Sequence, residues 1–109
     1  MKSKIETYLG FCVRAGKLAY GVDEIEKKRK GVFLIVFDET LGANSQKVLA
    51  QARQNLSCPL MVADEGVLGA YLYKPAVKAV AITDHHLASA IITAAQSEPQ
   101  FKFYSGGTN

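Results

Sequence analysis

Apolar residues recur at helical spacing along the first fifteen positions. Ile5, Tyr8, Leu9, Cys12 and Val13 lie three and four apart and form one stripe, so residues 3 to 14 are expected to be an amphipathic helix. Ser3 is placed to cap it, with Glu6 three residues on to complete a capping box. The helix should end near Ala15-Gly16, and Lys17-Leu18-Ala19-Tyr20 then reads as a short extended segment. Gly21 opens a second helix with Val22 and Ile25 facing inward. Its last turn is Lys28-Arg29-Lys30, closed by Gly31, and cations at that end suit the helix dipole.

The period then changes. Val32-Phe33-Leu34-Ile35-Val36-Phe37 is an unbroken apolar run ahead of Asp38, the form taken by a central strand covered on both faces. After a loop through Leu41-Gly42-Ala43-Asn44, the segment Ser45 to Asn55 gathers Val48, Leu49 and Ala52 on one side of a third amphipathic helix. Pro59 to Ala63 is a short strand. Asp64 should cap a short helix carrying Val67, Leu68, Tyr71 and Leu72. Lys74-Pro75 breaks that helix before a strand at Val77 to Ile82. Thr83-Asp84 caps a last helix, His85 to Ala95. Strands alternating with helices imply an α/β fold built from βαβ units: a single-domain three-layer α/β/α sandwich with a four-stranded mixed sheet. Residues 1–98 form the domain and 99–109 a C-terminal tail. There Phe101, Phe103 and Tyr104 are available to dock on the domain or a partner, and the Ser105-Gly106-Gly107 end should fray.

Length and composition narrow the classes. At 109 residues, 49% hydrophobic and 21% charged, the chain is sized for one globular core. No apolar stretch is long enough for a membrane span. The opening Met1 to Glu6 runs directly into a helix without a signal-peptide pattern, so a cytoplasmic location is expected. Cys12 and Cys58, far apart and flanked by apolar residues, read as packed thiols rather than a disulfide. His85-His86 is the only close pair of metal-ligand type, and adjacent side chains diverge, so neither a metal nor a cofactor is expected.

Charge is distributed unevenly. Residues 1 to 30 carry eight Lys and Arg against four acids, whereas residues 31 to 109 carry five against six. A concentrated positive field is the footprint of nucleic-acid binding. Catalytic signatures are missing: there is no glycine-rich phosphate loop after a strand, and the turn at Asp38-Glu39-Thr40-Leu41 is acidic. No serine sits in a nucleophile-elbow pattern. Asp38 reads equally well as a functional carboxylate at a strand end or as the cap of its turn. His85 and His86 read as surface residues of a capping turn. Tyr71 and Tyr73 would form a base-stacking platform only if their segment were extended; on a helix, Tyr71 packs inward.

The segment Gly21 to Gly31 has two readings. In the first, Asp23 with Lys27 and Glu24 with Lys28 are ordinary i,i+4 pairs on a solvated face. In the second, Gly21 admits a sugar-phosphate backbone to the helix N-terminus, Glu24 accepts from the N–H edge of a guanine, and Lys27 donates to its O6 or to phosphate. Arg14, Lys17, Lys28, Arg29 and Lys30 then supply phosphate contacts.

Arg14-Ala15-Gly16-Lys17-Leu18 with Gly21 after it, Glu24-x-x-Lys27, the Phe33 to Asp38 strand, Leu68-Gly69 and Val80-Ala81-Ile82-Thr83-Asp84 occur in an order that resembles the ribosomal protein L-seven-Ae and L-thirty-e superfamily. The likeness is to its small bacterial members related to kink-turn-binding proteins, and it covers about Leu9 to Ala95. It implies an α/β/α sandwich without enzymatic activity or cofactor that grips a sharply bent RNA through the start of its second helix and a loop before the last strand. By resemblance and charge together, the candidate RNA-contacting set is Arg14, Lys17, Gly21, Val22, Asp23, Glu24, Lys27, Lys28 and Lys30, with the loop Lys74, Pro75, Ala76, Val77 and Lys78. Asp23 stands where the best-known members have asparagine; it keeps an acceptor but lacks the amide donors. The expected partner is a structured RNA, ribosomal or a kink-turn in messenger RNA, with no membrane and nothing to indicate an oligomer. Two alternatives stay open: a protein-interaction module using the aromatic tail, and a small-molecule enzyme near Asp38 and Asp84.

Overall fold

The computed structural model describes residues 3–104. In chain order the elements are α1 (Lys4–Ala15), β1 (Leu18–Tyr20), α2 (Val22–Lys27), β2 (Leu34–Asp38), α3 (Ala43–Leu56), β3 (Leu60–Ala63), α4 (Val67–Leu72), β4 (Ala79–Ile82), α5 (His85–Ala95) and β5 (Phe101–Phe103). The sheet runs β1-β4-β2-β3-β5, with β2 and β3 parallel and every other neighbouring pair antiparallel. It is a mixed sheet with the apolar run of β2 at its centre. Among the described residues β2-α3-β3 is the single βαβ unit with parallel neighbours, where the alternation of elements suggested more.

Alternation along each strand builds two cores. Leu34 and Val36 of β2, Met61 and Ala63 of β3, Val80 and Ile82 of β4 and Phe101 of β5 point to α1, α4 and α5. Ile35, Phe37, Leu60, Ala79 and Ala81 point the other way, beneath Ile25 of α2 and Leu49 and Ala52 of α3. With both faces covered, all five residues of β2 and all four of β4 are buried. Cys12 and Cys58 are free thiols in the two opposite cores.

Three expectations are corrected. The sheet has five strands, not four, because Phe101–Phe103, read as tail, pairs with β3 and buries Phe101 beside Tyr71, ring centroids 5.9 Å apart. A three-residue strand offers too little alternation to register as one. The end of the tail, 105–109, lies outside the described residues. The second helix stops at Lys27, and Lys28 is extended at φ −69°, ψ 142°. After Val22 and Ile25 no apolar residue returns to continue the stripe. Lys28, Arg29 and Lys30 are all exposed, so nothing packs to hold a further turn. The third concerns caps. Ser3 does cap α1, accepting from Glu6 N at 3.2 Å, but the reciprocal carboxylate is Glu98 and not Glu6. Glu98 accepts from Lys4 N at 3.1 Å, from Ile5 N at 3.4 Å and from the Ser3 hydroxyl. Asp64 gives only its carbonyl to the turn before α4, where Gly66 holds the cap position at φ 79°.

A candidate nucleic-acid interface

Strand directions decide which loops meet. β1, β2 and β3 finish at the same end of the sheet at which β4 and β5 begin, since Tyr20 lies opposite Val80, Phe37 opposite Ala79, and Ala63 opposite Phe101. The start of α2 and the loop Lys74–Lys78 are therefore neighbours. The Gly21 N–H donates to Ala79 O at 2.9 Å, and the Lys74 ammonium lies 5.8 Å from the centre of the Tyr20 ring. Gly21 adopts φ 89°, ψ 153°, a region essentially restricted to glycine, and a Cβ there would meet nothing within 4 Å, so the surface above it is open. Its N–H is already used, so that group is not free for a ligand.

Asp23, Glu24 and Lys27 are exposed on α2, and Ile25 alone of the helix is fully buried. Lys27 pairs with Glu24 at 3.4 Å, one turn away, with side chains 74% and 60% exposed. A pair so exposed contributes at most about 0.5 kcal/mol. It is the single ion pair among the described residues, and Lys28, having left the helix, does not join it.

The Lys74–Lys78 loop is held from both sides. Val77 N donates to Lys74 O at 2.9 Å, closing a turn, and Gly69 of α4 lies under the loop so tightly that a Cβ would come within 3.0 Å of Lys74 O and Pro75 Cα. Pro75 and Ala76 are exposed, whereas Val77 packs on the core. The Lys78 ammonium donates to Thr40 Oγ1 at 2.7 Å, so it belongs to the turn after β2.

That turn is organised by Asp38, the one buried charged residue among those described, 1% exposed. Its Oδ1 accepts from Thr40 N at 2.8 Å and Thr40 Oγ1 at 2.5 Å, and its Oδ2 accepts from Gly66 N at 2.8 Å. Burial alone would raise its pKa, but the bonds from Thr40 and Gly66, with Lys78 nearby, hold the carboxyl below the usual carboxylate range. Asp38 thus ties two loops together and offers no free oxygen to a substrate. Asp84 caps α5 by accepting from Leu87 N at 2.9 Å, and that bond lowers its pKa.

Not all the candidate cations gather at this end. Lys17 lies at the opposite end of β1, four residues and roughly 13 Å from Gly21 at ~3.3 Å per residue. Lys30 lines a cleft with Phe33, Pro59 and His85, where β2 begins. Lys28 and Arg29 line a cleft of about 560 Å³ between the end of α2 and α3, together with Lys47 and Gln51. Lys47 gave no signal in the sequence, because it sits on the polar face of an ordinary amphipathic helix. Arg14 lies on α1, with its guanidinium 5.0 Å from the Phe11 ring centre, and lines a groove with Leu72 and Tyr73 just ahead of the 74–78 loop.

Tyr73 differs from Tyr71 in placement. Tyr71 is helical and half-buried, as expected of a helix, but Tyr73 is the left-handed cap of α4, at φ 56°, and is 81% exposed. Left-handed geometry costs a non-glycine residue roughly 1–2 kcal/mol. Gly10, in the middle of α1, costs about 1 kcal/mol relative to alanine, and a Cβ there would meet only the Arg14 guanidinium at 3.8 Å.

No family model matches the chain, and no curated protein does. Among solved structures it is similar to a protein of unknown function from Bacillus halodurans C. The TM-score is 0.77 with 19% sequence identity, over 87% of this chain and 99% of that one. That similarity establishes the fold. Among the described residues no helix is long and apolar enough to cross a membrane.

Proposed function

We propose that the chain binds a structured RNA with a sharp bend or internal loop, at the end of the sheet where the start of α2 meets the Lys74–Lys78 loop, and that it performs no reaction. The supporting observation is that meeting: Gly21 N bonded to Ala79 O, with Glu24 and Lys27 exposed on one side and Lys74, Pro75 and Ala76 on the other. The family resemblance supports the same surface. Glu24 reads the N–H edge of a guanine, Lys27 its O6 or a phosphate, and Pro75 and Ala76 pack on exposed sugar or base. Cations without an internal carboxylate partner among the described residues remain available to phosphates. The reading implies work in the cytoplasm beside ribosomal or messenger RNA. Of the tail aromatics that suggested a protein partner, Phe101 is buried and Tyr104 lies against Phe37 at 5.7 Å, which leaves Phe103 exposed.

A gel-shift titration with a kink-turn RNA tests this. Glu24→Ala and Lys27→Ala should each weaken binding about tenfold or more, within the ~1–3 kcal/mol of a base-edge contact. Stability should change by less than about 1 kcal/mol, because the pair is exposed. With Arg14 and Lys74 as phosphate contacts, joined by Lys27 once Glu24 turns from it to the base, log K should fall with log salt at a slope of about −2 to −3. Variants that bind like the parent protein would reduce α2 to a solvated face.

A further inference from the structure

Between α1 and α4 lies a groove of about 320 Å³, next to the proposed RNA surface and sharing Arg14 with it. Gly10 is its floor, Glu6 and Arg14 stand one turn to either side of Gly10, and Tyr73 forms the opposite wall. Each feature is unfavourable for folding alone. A glycine sits within α1 where an added Cβ would meet only the Arg14 guanidinium, at 3.8 Å. A large aromatic ring stands 81% exposed on a left-handed backbone that glycine would adopt without strain. The Arg14 guanidinium has no carboxylate partner among the described residues, only the Phe11 ring.

We propose that this groove receives one unpaired nucleotide of the bound RNA, a guanosine, continuing from the strand gripped by the Lys74–Lys78 loop. The proposal rests on the RNA-binding reading and names what the RNA places there. Charge sets the polarity. The Glu6 carboxylate repels phosphate and accepts from N–H groups, so it faces the base; the Arg14 guanidinium faces the phosphate. Among the bases, guanine presents two adjacent donors, N1–H and the N2 amine, to one carboxylate. The Tyr73 ring, held to Glu6 by a long hydroxyl bond of 3.4 Å, supplies the stacking face. Gly10 leaves room for the base between them. The volume suits a single nucleotide, at the lower limit of the ~300–1,000 Å³ of small-ligand sites.

The test follows backbone amide shifts of Gly10, Val13, Arg14 and Tyr73 on titration with guanosine 5′-monophosphate, uridine 5′-monophosphate and inorganic phosphate. Gly10→Leu, which fills the groove, and Tyr73→Gly, which suits the left-handed backbone, serve as variants that keep the fold. The guanosine nucleotide should shift all four amides, the uridine nucleotide several-fold more weakly, and phosphate only Arg14. Both variants should lose the guanosine shifts and bind kink-turn RNA roughly tenfold more weakly, while Glu24→Ala keeps the shifts. Absence of shifts, the same shifts in Gly10→Leu, or full reproduction by phosphate would each overturn the proposal. Failure of the kink-turn RNA to bind any form, with the guanosine shifts intact, would sink the RNA surface at α2 and leave the groove as a nucleotide site.

Discussion

Asp38→Asn separates a structural carboxylate from a functional one. In the parent protein both oxygens are committed: two bonds from Thr40 to Oδ1 and one from Gly66 N to Oδ2. An asparagine that keeps its oxygen on Thr40 turns its amide NH2 toward the Gly66 N–H, donor against donor; the flipped rotamer sacrifices both Thr40 bonds instead. At least one charge-assisted bond is lost, about 1.5–3 kcal/mol, and the survivors become neutral. Relief from burying a charge offsets part of that. The expected net loss is about 2 kcal/mol at pH 7, near 10 °C in Tm for a domain of this size. Because the folded-state pKa is depressed, the stabilisation is fully present above the unfolded value of ~3.9 and is lost as pH falls through the folded value. Urea denaturation of both proteins at pH 7 and at pH 3 should therefore show the difference shrinking on acidification. RNA affinity of the folded variant should stay within about twofold, since a residue 1% exposed cannot touch a ligand. A difference below about 0.5 kcal/mol at pH 7, or one that does not change with pH, would refute the reasoning.

Gly69→Ala should gain about 1 kcal/mol in helix propensity but lose more, because its Cβ meets the backbone of Lys74 and Pro75 at 3.0 Å. The expected outcome is a net loss of roughly 1 kcal/mol in chemical denaturation and about a tenfold drop in RNA affinity as the loop shifts; a stabilised variant with parental affinity would show that the contact does not position the loop. Burial pushes both thiols up to about 11, with Asp84 adding to the rise at Cys12. At pH 8 about one thiol in a thousand is then ionised, against roughly one in four for an ordinary cysteine. Ellman's reagent should label neither until urea unfolds the chain, and rapid labelling of the native protein would contradict the burial of the two cores.

What the sequence disclosed depended on the range over which each feature is encoded. The stripe of α1, the two-sided run of β2 and the Asp84 cap of α5 lie within a few residues of the groups they organise. Pattern alone therefore found them. The Glu98 carboxylate that closes the start of α1 is 94 residues away in sequence, and β5 is a three-residue strand whose identity comes from pairing with β3. Neither has a local signature. The end of α2 failed for a related reason. The basic run Lys28 to Lys30 is compatible with a helix, but the helix persists only where an apolar face is buried, and that face ends at Ile25.

The site divides along the same line. Gly21, Glu24 and Lys27 were legible as a unit because one helical turn joins them. The cations were not, because their grouping is set by the direction of β1, which carries Lys17 to one end of the sheet and Gly21 to the other. Charge counted along the chain overstates what gathers in space: of the seven cations described among residues 3 to 30, Arg14 and Lys27 are the ones placed beside the Gly21 end or the Tyr73 groove. Lys74, 53 positions beyond Gly21, joins them because β4 runs antiparallel to β1. Tyr71 and Tyr73 make a stacking pair only on an extended segment; the segment is helical through Leu72, and Tyr71 packs inward as a helix implies. One left-handed residue at the end of α4 turns the second ring outward while the first stays packed, an outcome that the period of the helix does not encode.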